Sequence, residues 1–198
     1  MLTRIRKLMK ARDGLAAVEF ALIAPVMGTL LLGTIELCNA LECHQKVTMM
    51  ASSAADLVAQ ASKVSASDMS DIFNAASAII APFSVNNITI VISSVQSDGT
   101  GNGTVAWSQG QTWSGGVAKA VNGRDVNSPV TLTQPIMSTW DSTKQTFTPC
   151  KANTCSVILA EVTYNYTSPI GKFLVGSTKM SDVFYERPRK VAIMPAPS

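Results

Sequence analysis

The stretch that decides the reading is Leu15 to Ile35, LAAVEFALIAPVMGTLLLGTI, 21 residues with a single charge, Glu19. As a helix it extends about 32 Å, close to the hydrocarbon thickness of a bilayer. On its amino side, residues 1–14 carry Arg4, Arg6, Lys7, Lys10 and Arg12 against Asp13. The other 184 residues hold eleven bases and twelve acids, so the formal charge of +3 belongs to the leader alone. A basic flank stays in the cytoplasm. The expected order is therefore a leader over 1–14, a membrane helix over 15–36 and an extracytoplasmic domain over 37–198. Charged residues make up 15% of the chain and hydrophobic ones 46%, with a mean hydropathy of +0.22. That composition excludes a charged disordered tail, and the charge forms no stripe of the kind that nucleic-acid binders carry.

Glu19 is the anomaly. A carboxylate inside an apolar membrane helix costs roughly 2.5–3.5 kcal/mol at mid-bilayer, so it needs a partner. A cleaved secretory signal would be shorter and would break after a small-residue site, whereas here the helical pattern continues. A plain signal anchor fits the length and the charge but leaves Glu19 without a role.

The string Gly14-Leu15-Ala16-Ala17-Val18-Glu19-Phe20 resembles the processing site of type IV prepilins. With the continuation Ala-Leu-Ile-Ala-Pro, it resembles more specifically the TadE-type proteins of tight-adherence (Flp) pilus systems. The resemblance implies that a prepilin peptidase cuts after Gly14 and that Leu15 becomes the new amino terminus. Glu19, followed by Phe20, would then set subunit register by pairing with the terminal amine of a neighbouring subunit. It further implies a minor pilin or pseudopilin that primes, caps or decorates the fibre. Its partners would be the Flp major pilin, other minor pilins, the inner-membrane assembly platform and membrane lipid. TadG-type relatives can carry a metal motif Asp-x-Ser-x-Ser, which does not occur in this sequence.

Beyond the anchor the helix should continue to about Ser62, since no Gly or Pro interrupts residues 34–81. Leu37, Ala40, Val47, Ala51, Ala54, Val58 and Ala61 recur at helical spacing. The resulting rod would be about 72 Å long. Pro25 should kink it near residues 21–25, and Gly28 and Gly33 miss the four-residue spacing of a close-packing motif. A second helix is expected over Asp68–Ile80, capped by Ser67 or Asp68 and stopped by Pro82. Strands follow at Ile88–Ser93 and Thr104–Ser108, around a turn at Ser97–Gly103, then at Ser156–Tyr166 and Met180–Arg187. Residues 109–150 show weak periodicity and read as a long surface excursion with one or two short strands, part of a loop reaching about residue 155. The fold class is α+β, a long amino-terminal membrane helix continuing into a periplasmic or extracellular domain with a small antiparallel sheet.

Cys150 and Cys155 flank a four-residue loop and would form a disulfide in an oxidising periplasm; two free thiols are the alternative. Cys38 and Cys43 point about 140° apart on one helix and cannot pair with each other. Cys43-His44 lacks the spacing of a haem attachment motif. His44, the single histidine, reads as a boundary residue. Gly99, Gly101 and Gly103 form a turn rather than a phosphate loop, and Asp98 with Asn102 matches no calcium-loop spacing. No cofactor and no nucleic acid are expected, and no residue set supports an enzyme. Arg187–Lys190 reads as a solvated terminus, the sequons at Asn87 and Asn165 as strand residues, and Trp107, Trp113 and Trp140 as core. The competing reading is an uncleaved inner-membrane anchor whose periplasmic domain binds a sugar, a surface or a secretion partner.

Overall fold

The computed structural model describes residues 15–132, 137–168 and 177–198. One helix, α1 (Leu15–Ala59), runs 45 residues through Pro25, about 68 Å. It ends three residues before Ser62. Its first half carries exposed apolar side chains: Phe20, Leu22, Leu30 and Leu31 are between 62% and 72% exposed. From Cys43 onward one side is sealed: Cys43, Val47, Met50, Ala51, Ala54, Ala55, Val58 and Ala59 are all fully buried. Their spacing keeps them on one side of a 3.6-residue helix, and the four alanines let the sheet approach closely. Leu37, expected on this stripe, is 60% exposed, because it precedes the point where the sheet begins to cover the helix.

The second helix, α2 (Ala66–Ala78), starts and ends two residues earlier than expected. Its cap is Ser65, not Ser67 or Asp68. The Ser65 hydroxyl accepts from the Asp68 backbone N–H, and the Asp68 carboxylate accepts from the Ser65 N–H at 2.9 Å. This reciprocal box satisfies two helix-start donors.

The strands are β1 (Ile88–Ser97), β2 (Gly103–Ser114), β3 (Val117–Val121), β4 (Pro129–Val130), β5 (Ser138–Asp141), β6 (Thr146–Pro149), β7 (Ser156–Thr167) and β8 (Ser177–Glu186). The main sheet is antiparallel in the order β3-β2-β1-β7-β8, with β4 beside β2, while β5 and β6 pair separately. Ile90 faces Val162, and Ala160 faces Phe184. Between Ser94 and Val95 the β1–β2 register slips, so that Ala106 is the extra residue of a bulge. The α1 helix lies across β7 and β8.

Period-2 alternation explains both faces of the sheet. Ile88, Ile90, Ile92, Ile158, Ala160, Val162, Tyr164 and Tyr166 join the α1 stripe in the main core, with Trp107 and Trp113. Val95, Val105, Val157 and Leu159 face the other way and are covered by Val130, Leu132, Met137, Cys150 and Cys155. The excursion expected over 109–150 is therefore largely ordered. Its first part extends β2 to Ser114 and returns as β3, and the remainder lays isolated apolar residues over the far face. Such a cover has no period to read.

The carboxy-terminal segment is also corrected. Arg187 donates to the Ser138 carbonyl at 3.0 Å, and Arg189 pairs with Asp56 and Glu186. Beyond them the chain folds back as a strap. The Ser156 N–H donates to the Ala192 carbonyl, the Trp107 indole to the Met194 carbonyl, and the Ala66 N–H to the Ser198 carbonyl.

Candidate functional site: the bare apolar arm

The sequence-derived site residues cluster at the start of α1. Gly14 lies outside the described residues. Leu15 is the first residue of α1, and Glu19 follows one helical turn later. Glu19 is exposed, and Phe20 is 71% exposed. Glu19 has no hydrogen-bond or ion-pair partner among the described residues. The bases of the described chain begin at Lys46, 27 residues on and about 40 Å away along the helix. Any neutralising charge for Glu19 must come from elsewhere.

The arm carries other polar groups, but they are satisfied internally. The Thr29 hydroxyl donates to the Val26 carbonyl and the Thr34 hydroxyl to the Leu30 carbonyl, both at 2.8 Å. Such back-bonds suit lipid, which offers no partner to a free hydroxyl. Among the described residues, Gly28 and Gly33 have nothing within 4 Å of where a Cβ would stand. The α1 helix is long and apolar enough to cross a membrane, and its most apolar window has a mean hydropathy of 1.9 with none of it buried.

The arm ends where the charges resume. Ser168, at the end of β7, donates its hydroxyl to the Glu36 carboxylate. The body is thus tied to the first residue after the apolar run. Tyr166 is buried beside this joint. Burial, then the nearby Glu36 charge, pushes its phenol above the ordinary range, and its hydroxyl has no hydrogen-bond partner among the described residues. The signal for Glu36 in the sequence is simple: it is the first charge after Glu19.

The cysteines divide. Cys150 and Cys155 are bonded, with Cα atoms 6.2 Å apart. Cys38 is exposed at the base of the arm and Cys43 is buried. Burial, then the Glu42 charge, pushes the Cys43 thiol up to about 11.

Elsewhere the candidates are absorbed by local structure. The Asp98 carboxylate accepts from the backbone and hydroxyl of Thr100, within a turn whose Gly99 and Gly101 have φ of +90° and +101°. His44 is exposed on α1. Asn165 lies in β7, but Asn87 precedes β1 at a φ of 67°, in a turn rather than in a strand. Trp107 and Trp113 are 6% and 5% exposed within the main core.

No curated protein and no solved structure matches the chain. Residues 14–56, which comprise the arm and most of the buried stripe behind it, match the model of the TadE-like protein family, so the TadE resemblance holds over the segment that carries the bare arm.

Proposed function

We propose that this chain is a minor pilin or pseudopilin of a tight-adherence pilus, anchored in the inner membrane by the arm with its body in the periplasm. Cleavage behind Gly14 would free the Leu15 amine, and Glu19 would pair with that amine on a neighbouring subunit. The function is structural. The arm would exchange lipid for the helices of Flp pilin and other minor pilins, and the body would prime, cap or decorate the fibre.

One observation carries this reading. The TadE-matched segment contains an apolar stretch of helix left bare by the described residues, and within it an exposed carboxylate without a partner among them. An apolar rod of that kind is covered by lipid or by other helices. A buried carboxylate persists only with a counter-charge or a proton.

The test is the mature amino terminus, read by intact mass from membranes with and without the prepilin peptidase. A chain beginning at Leu15 only when the peptidase is present is the expected result, and Gly14→Ala should abolish the processing. A leader retained in both strains refutes the pilin reading in favour of the uncleaved anchor with a binding domain.

A further inference from the structure

Far from the arm, the disulfide loop, the β5–β6 hairpin and the carboxy-terminal strap enclose a solvent-open groove of about 660 Å³. Lys144, Lys151 and Arg187 line it, and Asp141 is the one acid among the lining residues. The Asp141 carboxylate is already engaged: it accepts from the backbone N–H groups of Thr143 and Lys144 and lies 3.9 Å from the Lys144 ammonium. Lys151 has no ion-pair partner among the described residues. Arg187 spends one N–H on the Ser138 carbonyl, and the rest of its five-donor fork has no acceptor among the described residues. Three of the eleven bases that follow the leader thus converge on one groove, although acids outnumber bases twelve to eleven over those residues.

We infer that this groove binds a carboxylate-bearing sugar unit of an acidic polysaccharide. Its size falls within the range of small-ligand sites. The cations would meet the carboxylate, while Pro149, Pro188, Val191 and Ala192 offer apolar surface to the C–H face of a pyranose.

Two observations weigh against other occupants. The strap that walls the groove is hydrogen-bonded to Ala59, 24 residues and roughly 36 Å beyond Ile35 along α1. That is several Debye lengths at physiological salt, so lipid headgroups at the foot of the arm exert no pull there. An extended peptide pairing through its backbone would find several wall donors already taken. The N–H groups of Cys150 and Ser156 already bond the carbonyls of Met137 and Ala192, and that of Thr154 bonds Lys151. The walls are also preformed: the disulfide closes the loop, and the Asn153 N–H ties it to the Ser97 carbonyl.

The experiment is titration of the full chain in lipid nanodiscs with trigalacturonate, with neutral galactotriose, with hexaglutamate and with inorganic phosphate. Trigalacturonate should bind, and the neutral sugar should bind about tenfold more weakly or not at all. The double variant Lys151→Met, Arg187→Met should weaken trigalacturonate about tenfold, since two exposed charge pairs are lost. Lys119→Met, a base on β3 outside the groove, should leave binding unchanged. All three side chains are exposed, so unaltered melting temperatures check that the variants fold. Equal binding of the neutral sugar, an equal loss in Lys119→Met, tighter binding of hexaglutamate, or phosphate binding as tight as trigalacturonate would each overturn the inference.

Discussion

Met194→Ala tests the least expected element of the fold, the carboxy-terminal strap. Met194 is fully buried. Its N–H donates to the Ser156 hydroxyl at 2.9 Å, and its carbonyl accepts from the Trp107 indole at 3.1 Å. Truncating a buried methionine to alanine costs about 2–5 kcal/mol. The lower part of that range applies, because a strap held by a few hydrogen bonds, at Ala192, Met194 and Ser198, can partly lift instead of enclosing a void. An expected loss of about 2–3 kcal/mol, spread over a body of roughly 160 residues, lowers the melting temperature by about 6–9 °C. Met194→Leu keeps the volume and should cost less than about 1.5 kcal/mol. The assay is a thermal scan of the full chain in micelles, followed by tryptophan emission. Trp107 reports directly, since lifting the strap removes its hydrogen-bond acceptor and exposes the ring, shifting its emission to the red. A melting temperature within about 1 °C of the parent, with unchanged emission, would show that the strap contributes nothing and would refute this reasoning.

Maleimide labelling of the native chain at pH 8 should modify Cys38 and spare Cys43, whose thiol is buried and raised to about 11; equal labelling would contradict the packing of α1 on the sheet. Asp68 is held below the ordinary carboxylate value by the Ser65 N–H and then by the Ser65 hydroxyl. A depressed value means that the cap stabilises α2 above the ordinary carboxylate range and is lost as pH falls through the lowered value. Ser65→Ala should therefore move the Asp68 titration upward in an NMR experiment, and an unmoved titration would show that the hydroxyl has no part in the depression. Replacing Cys150 and Cys155 together by serine opens a loop of six residues and should cost about 2 kcal/mol in denaturant unfolding; no loss would mean that packing against Met137 and Val157 holds the loop without the bond.

Much of this was legible in the sequence because periodicity and charge survive folding unchanged. The arm is a composition signal, and β7 declares itself by strict alternation from Ile158 to Tyr166. The small residues Ala51, Ala54 and Val58 mark the helix face that meets the sheet. What stayed hidden depends on tertiary contact. Met194 buries one side chain from a tail rich in proline, and Val130, Leu132 and Met137 act as single plugs over the far face of the sheet. None of these belongs to a repeat of two or of 3.6. The groove escaped notice for a related reason: Lys144, Lys151 and Arg187 are scattered over 44 positions and share a wall only after the strap folds back. Arg187–Lys190 looked like a solvated tail because a charge run gives no hint that two of its members will find Asp56 and Ser138.

The joint at Glu36 ties these pieces together. The apolar run stops at Ile35, and Ser168 grips the next residue, so no flexible spacer separates the arm from the body. A body seated on a loose tether would tolerate any rotation of its anchor. Here α1 continues through the joint as one helix, and its next turns become the buried stripe under β7 and β8. Rotation or translation of the arm is therefore transmitted to the sheet as a rigid displacement, and the distal groove moves with it. This geometry suits a subunit whose body must take a fixed orientation once its arm is packed. It also explains why an isolated carboxylate can be useful at the far end of the rod. The nearest described base is about 40 Å away along the helix, so none of the described bases of the body reaches Glu19. On the proposed reading, a neighbouring subunit's amine that pairs with Glu19 would fix the height of the arm, and through the unbroken helix the height of everything attached to it.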